Sequence, residues 1–324
     1  MQFRQGKPPL GIVFDADLGN TMDDALALAS LYGFQGKGES RVIGVNTSRP
    51  GLDSAIFADI LVRFYTGEPG PFAVPTPIGL TLGKAQPDTP LMAVVLAKPG
   101  YARGIKQMND TADPVAVFRN ALSAQFDGNA TVVLGGAATN LAQALDLPGV
   151  KDLIAAKALL LVAALGNYAG GGADPQVTAA LPAARKLFAE WPTPIVLAGS
   201  EIGQALTFPG ASIETDFSWA PAHPLVDAYR AAGTMPYDAP GTALAAALHA
   251  VQPKEPYFKP SDPGTVTVGD DGRTTFTLSA AGKHRYLIAD AAQKDRIRQV
   301  WVETASTRPI PRAPRFRPQQ KKKQ

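Results

Sequence analysis

No cysteine occurs among the 324 residues. Disulfides, zinc–thiolate centres and cysteine nucleophiles are therefore excluded. Histidine is almost as scarce, with only His223, His249 and His284. Long apolar runs are missing too. No stretch approaches the roughly 18 uninterrupted apolar residues of a membrane span. The opening MQFRQGKPPLGIVFDAD has no long apolar segment of the secretory type, and its run Leu10–Phe14 is only strand-length. Charged residues make up 18% against 45% apolar ones, the reverse of a disordered chain. Neither an internal repeat nor a linker interrupts the body. These absences predict one soluble globular domain over 1–306, with no membrane partner and a cytoplasmic location.

The net charge of +3 hides an uneven distribution. Arg308, Arg312, Arg315, Arg317, Lys321, Lys322 and Lys323 crowd the last 18 residues without an acidic neighbour. With that tail set aside the body carries −4. No nucleic-acid partner is expected of the folded part. The stretch 307–324, rich in Pro and Gln, is predicted to be a disordered basic tail.

The first half alternates strand and helix patterns. Short apolar runs at Leu10–Phe14, Arg41–Thr47, Ala130–Leu134, Ala158–Ala164 and Ile195–Ala198 read as strands, with a further candidate at 73–75. Helical spacing marks Asp23–Tyr32, Asp53–Tyr65, Asp110–Phe126, Ala138–Leu145 and Ala183–Trp191, then Leu225–Ala232 and Thr242–Val251. Strand-like Thr265–Val268 and Arg273–Leu278 flank the turn Gly269-Asp270-Asp271-Gly272, a β-hairpin signal. The predicted fold is single-domain α/β: a mostly parallel central sheet flanked by helices, with a small late hairpin.

The segment Val13–Leu28, VFDADLGNTMDDALAL, carries the chemistry. A strand ends at Phe14, and Asp15, Asp17, Asp23 and Asp24 follow within ten residues. That is the carboxyl end of a strand, where open α/β sheets place ligands. Helix capping accounts for Asp23 and Asp24. It leaves Asp15 and Asp17 unexplained. Converging carboxylates repel one another, so they take up protons or gather round a cation. A hard divalent ion such as Ca²⁺ or Mg²⁺ suits an all-oxygen donor set.

The same segment resembles the fingerprint of the nucleoside hydrolases, D-x-D-P-G-x-D-D, and more closely a bacterial branch with D-x-D-x-G-N-D-x-D-D. Here it reads D-A-D-L-G-N-T-M-D-D, with Thr21 in place of an aspartate. Further likenesses follow in order: Gly135–Leu145 to the G-P-x-T-N-L-A turn, Leu161–Tyr168 to a strand ending in M-G-G, Trp191–Leu206 to the strand before the variable loops, and Met235–Val251 to a late helix region bearing one more metal-binding aspartate. The resemblance spans about residues 10 to 300.

It implies Ca²⁺-dependent cleavage of the N-glycosidic bond of nucleosides to ribose and base, by a homo-oligomer (dimer or tetramer). Asp17 would bind the metal and act as general base. Asp24, Asp238 and the backbone at Gly135 would complete the ligands, with Asp238 also reaching the substrate. Asp23 and Asn46 would hold ribose, Tyr168 would stack on the base, and Asp15 would orient the ligands from behind. The sequence departs from the family where an E-F-N segment is usual: Val177 stands near the asparagine position, and Tyr237 precedes Asp238 where some members have histidine. Two alternatives follow. One is a protein of the same fold that binds a ribosyl ligand without turnover. The other is a haloacid-dehalogenase-like phosphatase, whose opening strand and late acidic motif VFDAD and VGDD imitate.

Overall fold

A computed structural model of the protein describes residues 8–67 and 75–309. Its frame is a sheet of ten strands. Along the chain the strands are β1 (Leu10–Ala16), β2 (Ser40–Thr47), β3 (Ile78–Leu80), β4 (Ala130–Leu134), β5 (Ala158–Ala163), β6 (Ile195–Leu197), β7 (Thr207–Phe208), β8 (Ala239–Pro240), β9 (Phe258–Pro260), β10 (Gly264–Val268), β11 (Thr274–Leu278) and β12 (His284–Ala289). β7 and β8 form a separate antiparallel pair. The main order is β11-β10-β12-β6-β5-β4-β1-β2-β3, with β9 on β12. The run from β3 to β6 is parallel, and β12 continues it beside β6.

Successive side chains of a strand point to opposite faces. In β1, Ile12 and Phe14 enter one core and Val13 the other. In β4, Val133 joins the first core while Val132 and Leu134 join the second. The short apolar runs are thus strands covered by helices on both faces, as predicted. The helix Met22–Gly36 is buried almost throughout and packs against the helices Thr242–Val251 and Lys294–Ala305. Gly33 lets the last of these come close: a Cβ there would lie 2.1 Å from the Thr304 carbonyl oxygen. Full burial of Trp301 and Phe34 contributes roughly 2–3 kcal/mol each.

Some boundaries differ from the sequence pattern. The expected helix Asp110–Phe126 is a 3₁₀ turn, Met108–Asp110, followed by the helix Pro114–Ser123. Asp113 caps the latter and proline sets its first turn, so the helix starts there. The strand candidate at 73–75 falls mostly outside the described residues, as does the tail from 310 onward. The hairpin β10–β11 forms in the expected place. Its turn leads into a strand rather than a helix, and Asp270 is exposed and paired with Arg185. The late phosphatase motif is thus a hairpin turn. No helix among the described residues is long and apolar enough to cross a membrane.

Candidate active site

From β1 the chain moves outward through β2 and β3, then returns to the other side of β1 as β4. At such a reversal open α/β sheets place their ligand crevice, here at the carboxyl ends of β1 and β4. Asp15, next to last in β1, lies opposite Leu134. Asp17 follows in a turn closed by Asn20 N donating to the Asp17 carbonyl at 3.0 Å. Gly19 takes a positive φ there, 94°, and its missing side chain leaves room for Met92, whose Sδ would be 2.0 Å from a Cβ. The next helix then carries Asp23 and Asp24 in its first turn.

Asp17 and Asp24 form the centre. Both are buried, and their carboxyl groups stand within hydrogen-bonding reach of each other. Carboxylates this close repel when both carry charge, and the Oδ1 atoms of both lack a partner. Burial pushes Asp24 well above the usual carboxylate range; the charge and contact of Asp17, then Asp23, push further. Gly135 permits this approach: a Cβ there would sit 2.1 Å from Asp24 Oδ1. Buried oxygens that repel each other and lack donors fit a hard cation, with backbone and water oxygens completing its shell.

Asp15 lies behind the pair and is fully buried. Asn140 Nδ2 donates to its Oδ1 at 3.1 Å and Asn46 Nδ2 to its Oδ2 at 3.2 Å. Burial raises Asp15 to about 7 against these two bonds. Asp23 turns toward a different element. Its Oδ2 accepts from Ala243 N at 2.7 Å and its Oδ1 from Leu244 N at 3.0 Å. It therefore caps the distant helix Thr242–Val251 rather than its own. Burial lifts Asp23 to about 7, while these bonds hold it down.

Three expected site residues lie elsewhere. Asn46 is fully buried, and its amide nitrogen is spent on Asp15 and the Pro114 carbonyl while its Oδ1 has no partner. The reason is register: Asn46 pairs with Asp15, one layer below Asp17. Asp238 is exposed and accepts from Gly210 N at 3.0 Å and Arg298 Nη2 at 2.7 Å. It is drawn to that guanidinium and does not join Asp17 and Asp24. Among the described residues no group of three or more His, Asp or Glu side chains is arranged for a metal. The ring of Tyr168 stacks on Tyr286 at 5.4 Å and meets Phe276 edge-on, which makes it part of the hairpin packing.

The fold also supplies residues that the motif did not indicate. Asp174 caps the short helix Pro175–Ala179, accepting from Gln176 N and Val177 N. Gln176 then reaches Asp17, donating from Nε2 to Oδ2 at 2.6 Å. Glu201, just beyond β6, accepts from Tyr168 N at 3.2 Å and keeps a buried, unpartnered Oε1. Burial, then Asp174, raises Glu201 above its ordinary value. Two signals in the sequence point to these residues: Asp-Pro at 174–175, a helix start, and Glu201 at the carboxyl end of a predicted strand.

No family model matches the sequence, and no curated protein does. Solved structures of the same fold include a plant nucleoside hydrolase, 18% identical, with a TM-score of 0.71 over 92% of this chain and 99% of that one. A purine-preferring ribonucleoside hydrolase from Gardnerella vaginalis is 17% identical, with a TM-score of 0.69 over 91% and 98%. The type III effector XopQ, solved with adenosine diphosphate ribose, is 14% identical, with a TM-score of 0.60 over 94% of each chain. The chain has the nucleoside hydrolase fold.

Proposed function

We propose that this protein hydrolyses the N-glycosidic bond of ribonucleosides, using a Ca²⁺ ion held by Asp17, Asp24 and the backbone at Gly135. The observation that supports it most is the pair of buried, facing carboxylates with unpartnered Oδ1 atoms at the crevice of this fold. Bound there, the cation would anchor the ribose hydroxyls and acidify the attacking water. Asp17 Oδ1 keeps a second lone pair beside the one given to the cation, and that lone pair takes the proton as water oxygen bonds to the anomeric carbon. The carbon–nitrogen bond breaks with its electrons leaving on the base. The carboxylates stabilise the positive charge that builds on the sugar. Asp23 keeps lone pairs free beyond its two backbone bonds and can accept a ribose hydroxyl.

The test uses purified protein on a panel of nucleosides, with and without EDTA. Release of free ribose that EDTA suppresses and Asp17→Asn abolishes supports this function. A second reading has its own support. Asn46 is buried and Asp238 is committed to Arg298, which leaves the sugar fewer contacts. Such a site suits a protein that binds a ribosyl ligand without turnover, as XopQ was solved with adenosine diphosphate ribose. Retained binding of adenosine diphosphate ribose, with no ribose released from any nucleoside, would select that reading.

A further inference from the structure

Two amides converge on one oxygen of Asp17. Nε2 of Gln176 lies 2.6 Å from Oδ2, and Nδ2 of Asn20 lies 2.7 Å from it. An amide nitrogen can only donate. Oδ2, accepting twice, has its in-plane lone pairs occupied and no place for a proton. Oδ1 is buried and accepts from nothing, and it belongs to the carboxyl group that meets Asp24. We propose that Gln176 and Asn20 are positioning residues that hold Asp17 by Oδ2 and reserve Oδ1 for a divalent cation shared with Asp24. This rests on the cation reading given under Proposed function and adds to it which oxygen serves and what keeps it free.

The two amides come from separate parts of the chain. Asn20 belongs to the turn that follows β1. Gln176 sits in the first turn of Pro175–Ala179, which Asp174 caps. That helix leans on the β10–β11 turn: Asp174 N donates to the Gly272 carbonyl at 3.4 Å, and Gly272 leaves space for Thr178, whose Oγ1 a Cβ would meet at 2.2 Å. The hairpin therefore supports the helix, and the helix presents the amide to Asp17. Groups behind a metal ligand that fix its orientation typically change cation affinity by about 10- to 100-fold when removed.

The experiment measures Ca²⁺ affinity of the full chain, by calorimetry or by displacement of luminescent Tb³⁺, alongside the melting temperature in EDTA. Gln176→Met removes the donor at nearly constant shape, and Asn20→Ala removes the other one from an exposed position. The expected result is a Kd raised on the order of tenfold in each variant, with the EDTA melting temperature close to wild type. A glutamine that is merely structural would lower that melting temperature and leave the Kd alone. Variants that bind Ca²⁺ as tightly as a tight-binding wild type overturn the positioning role and leave the cation reading standing. A wild type that binds neither ion overturns the cation reading itself.

Discussion

Asp23 is joined to Ala243 across 220 positions of sequence, its Oδ2 accepting the Ala243 N–H at 2.7 Å. With the Leu244 bond, one carboxylate at the start of the helix Met22–Gly36 caps the helix Thr242–Val251. The helix N-terminus favours a negative group at that point. Asp23→Ala leaves two buried N–H groups unsatisfied and should lower stability by about 1–2 kcal/mol. Asp23→Asn keeps one acceptor and should cost less. Urea unfolding without substrate measures both. Equal stability of Asp23→Ala and wild type would show that the bond does not hold the two helices together.

Gly135→Ala tests the close approach directly. The new methyl would sit 2.1 Å from Asp24 Oδ1, so the carboxylate must swing away from Asp17. Misplacing a reacting group by about 1 Å costs on the order of 100-fold in rate. The expected outcome is a loss of that order in kcat/KM for ribose release, with far-UV circular dichroism unchanged. Activity at the wild-type level would separate Asp24 from the chemistry.

The pair Asp17–Asp24 places function and stability in opposition. Buried carboxylates in mutual contact destabilise the metal-free fold, and Asp24 answers by holding its proton well above the ordinary range. Asp24→Asn removes one charge. In EDTA at pH 8 it should melt higher than wild type, by a margin on the order of 1–2 kcal/mol. Added Ca²⁺ should reverse the order, since ligand at about 100 times its Kd stabilises by about 2.7 kcal/mol and the variant binds little. Thermal melts of both proteins in both buffers decide it. A variant that melts lower in EDTA would show that the carboxylates are not repelling.

How much of this was legible in sequence follows from chain distance. Strands β1, β4 and β5 are short apolar runs, so local pattern sufficed. The helix Thr242–Val251 matched its predicted bounds. Asp15 and Asp17 were placed at a strand end by the same local rule. The place of Asn46 behind Asp15 is not legible locally, because its neighbour depends on pairing register, which no local window contains. The pairing of Asp238 is not legible locally either, because Arg298, its partner, lies 60 residues on, in the helix Lys294–Ala305. That helix itself was not recognised, since its charges mask Ile297 and Trp301, four apart and both buried. Gln176 reaches Asp17 only through the return of β5 beside β4, a property of topology alone.

His223 gives a prediction away from the crevice. It is buried, neither ring nitrogen has a partner, and Phe64, Tyr65, Phe217 and Trp219 surround it. Burial lowers it from 6.5 to about 4, with Asp227 pulling weakly the other way. The unfolded chain therefore binds the extra proton between pH 6.5 and 4 while the folded one does not. Stability contributed by neutral His223 is complete above pH 6.5, falls as pH drops toward 4, and levels below that. The shift corresponds to about 3 kcal/mol across the window. His223→Leu places an apolar group in the aromatic cage and removes the titration. Relative to wild type its stability should stay level from pH 7.5 to about 6.5 and then gain steadily down to pH 4.5 in urea unfolding. A difference between the two proteins that stays constant with pH would mean that His223 titrates in the fold as it does in the unfolded chain, its ring reaching water within the cage.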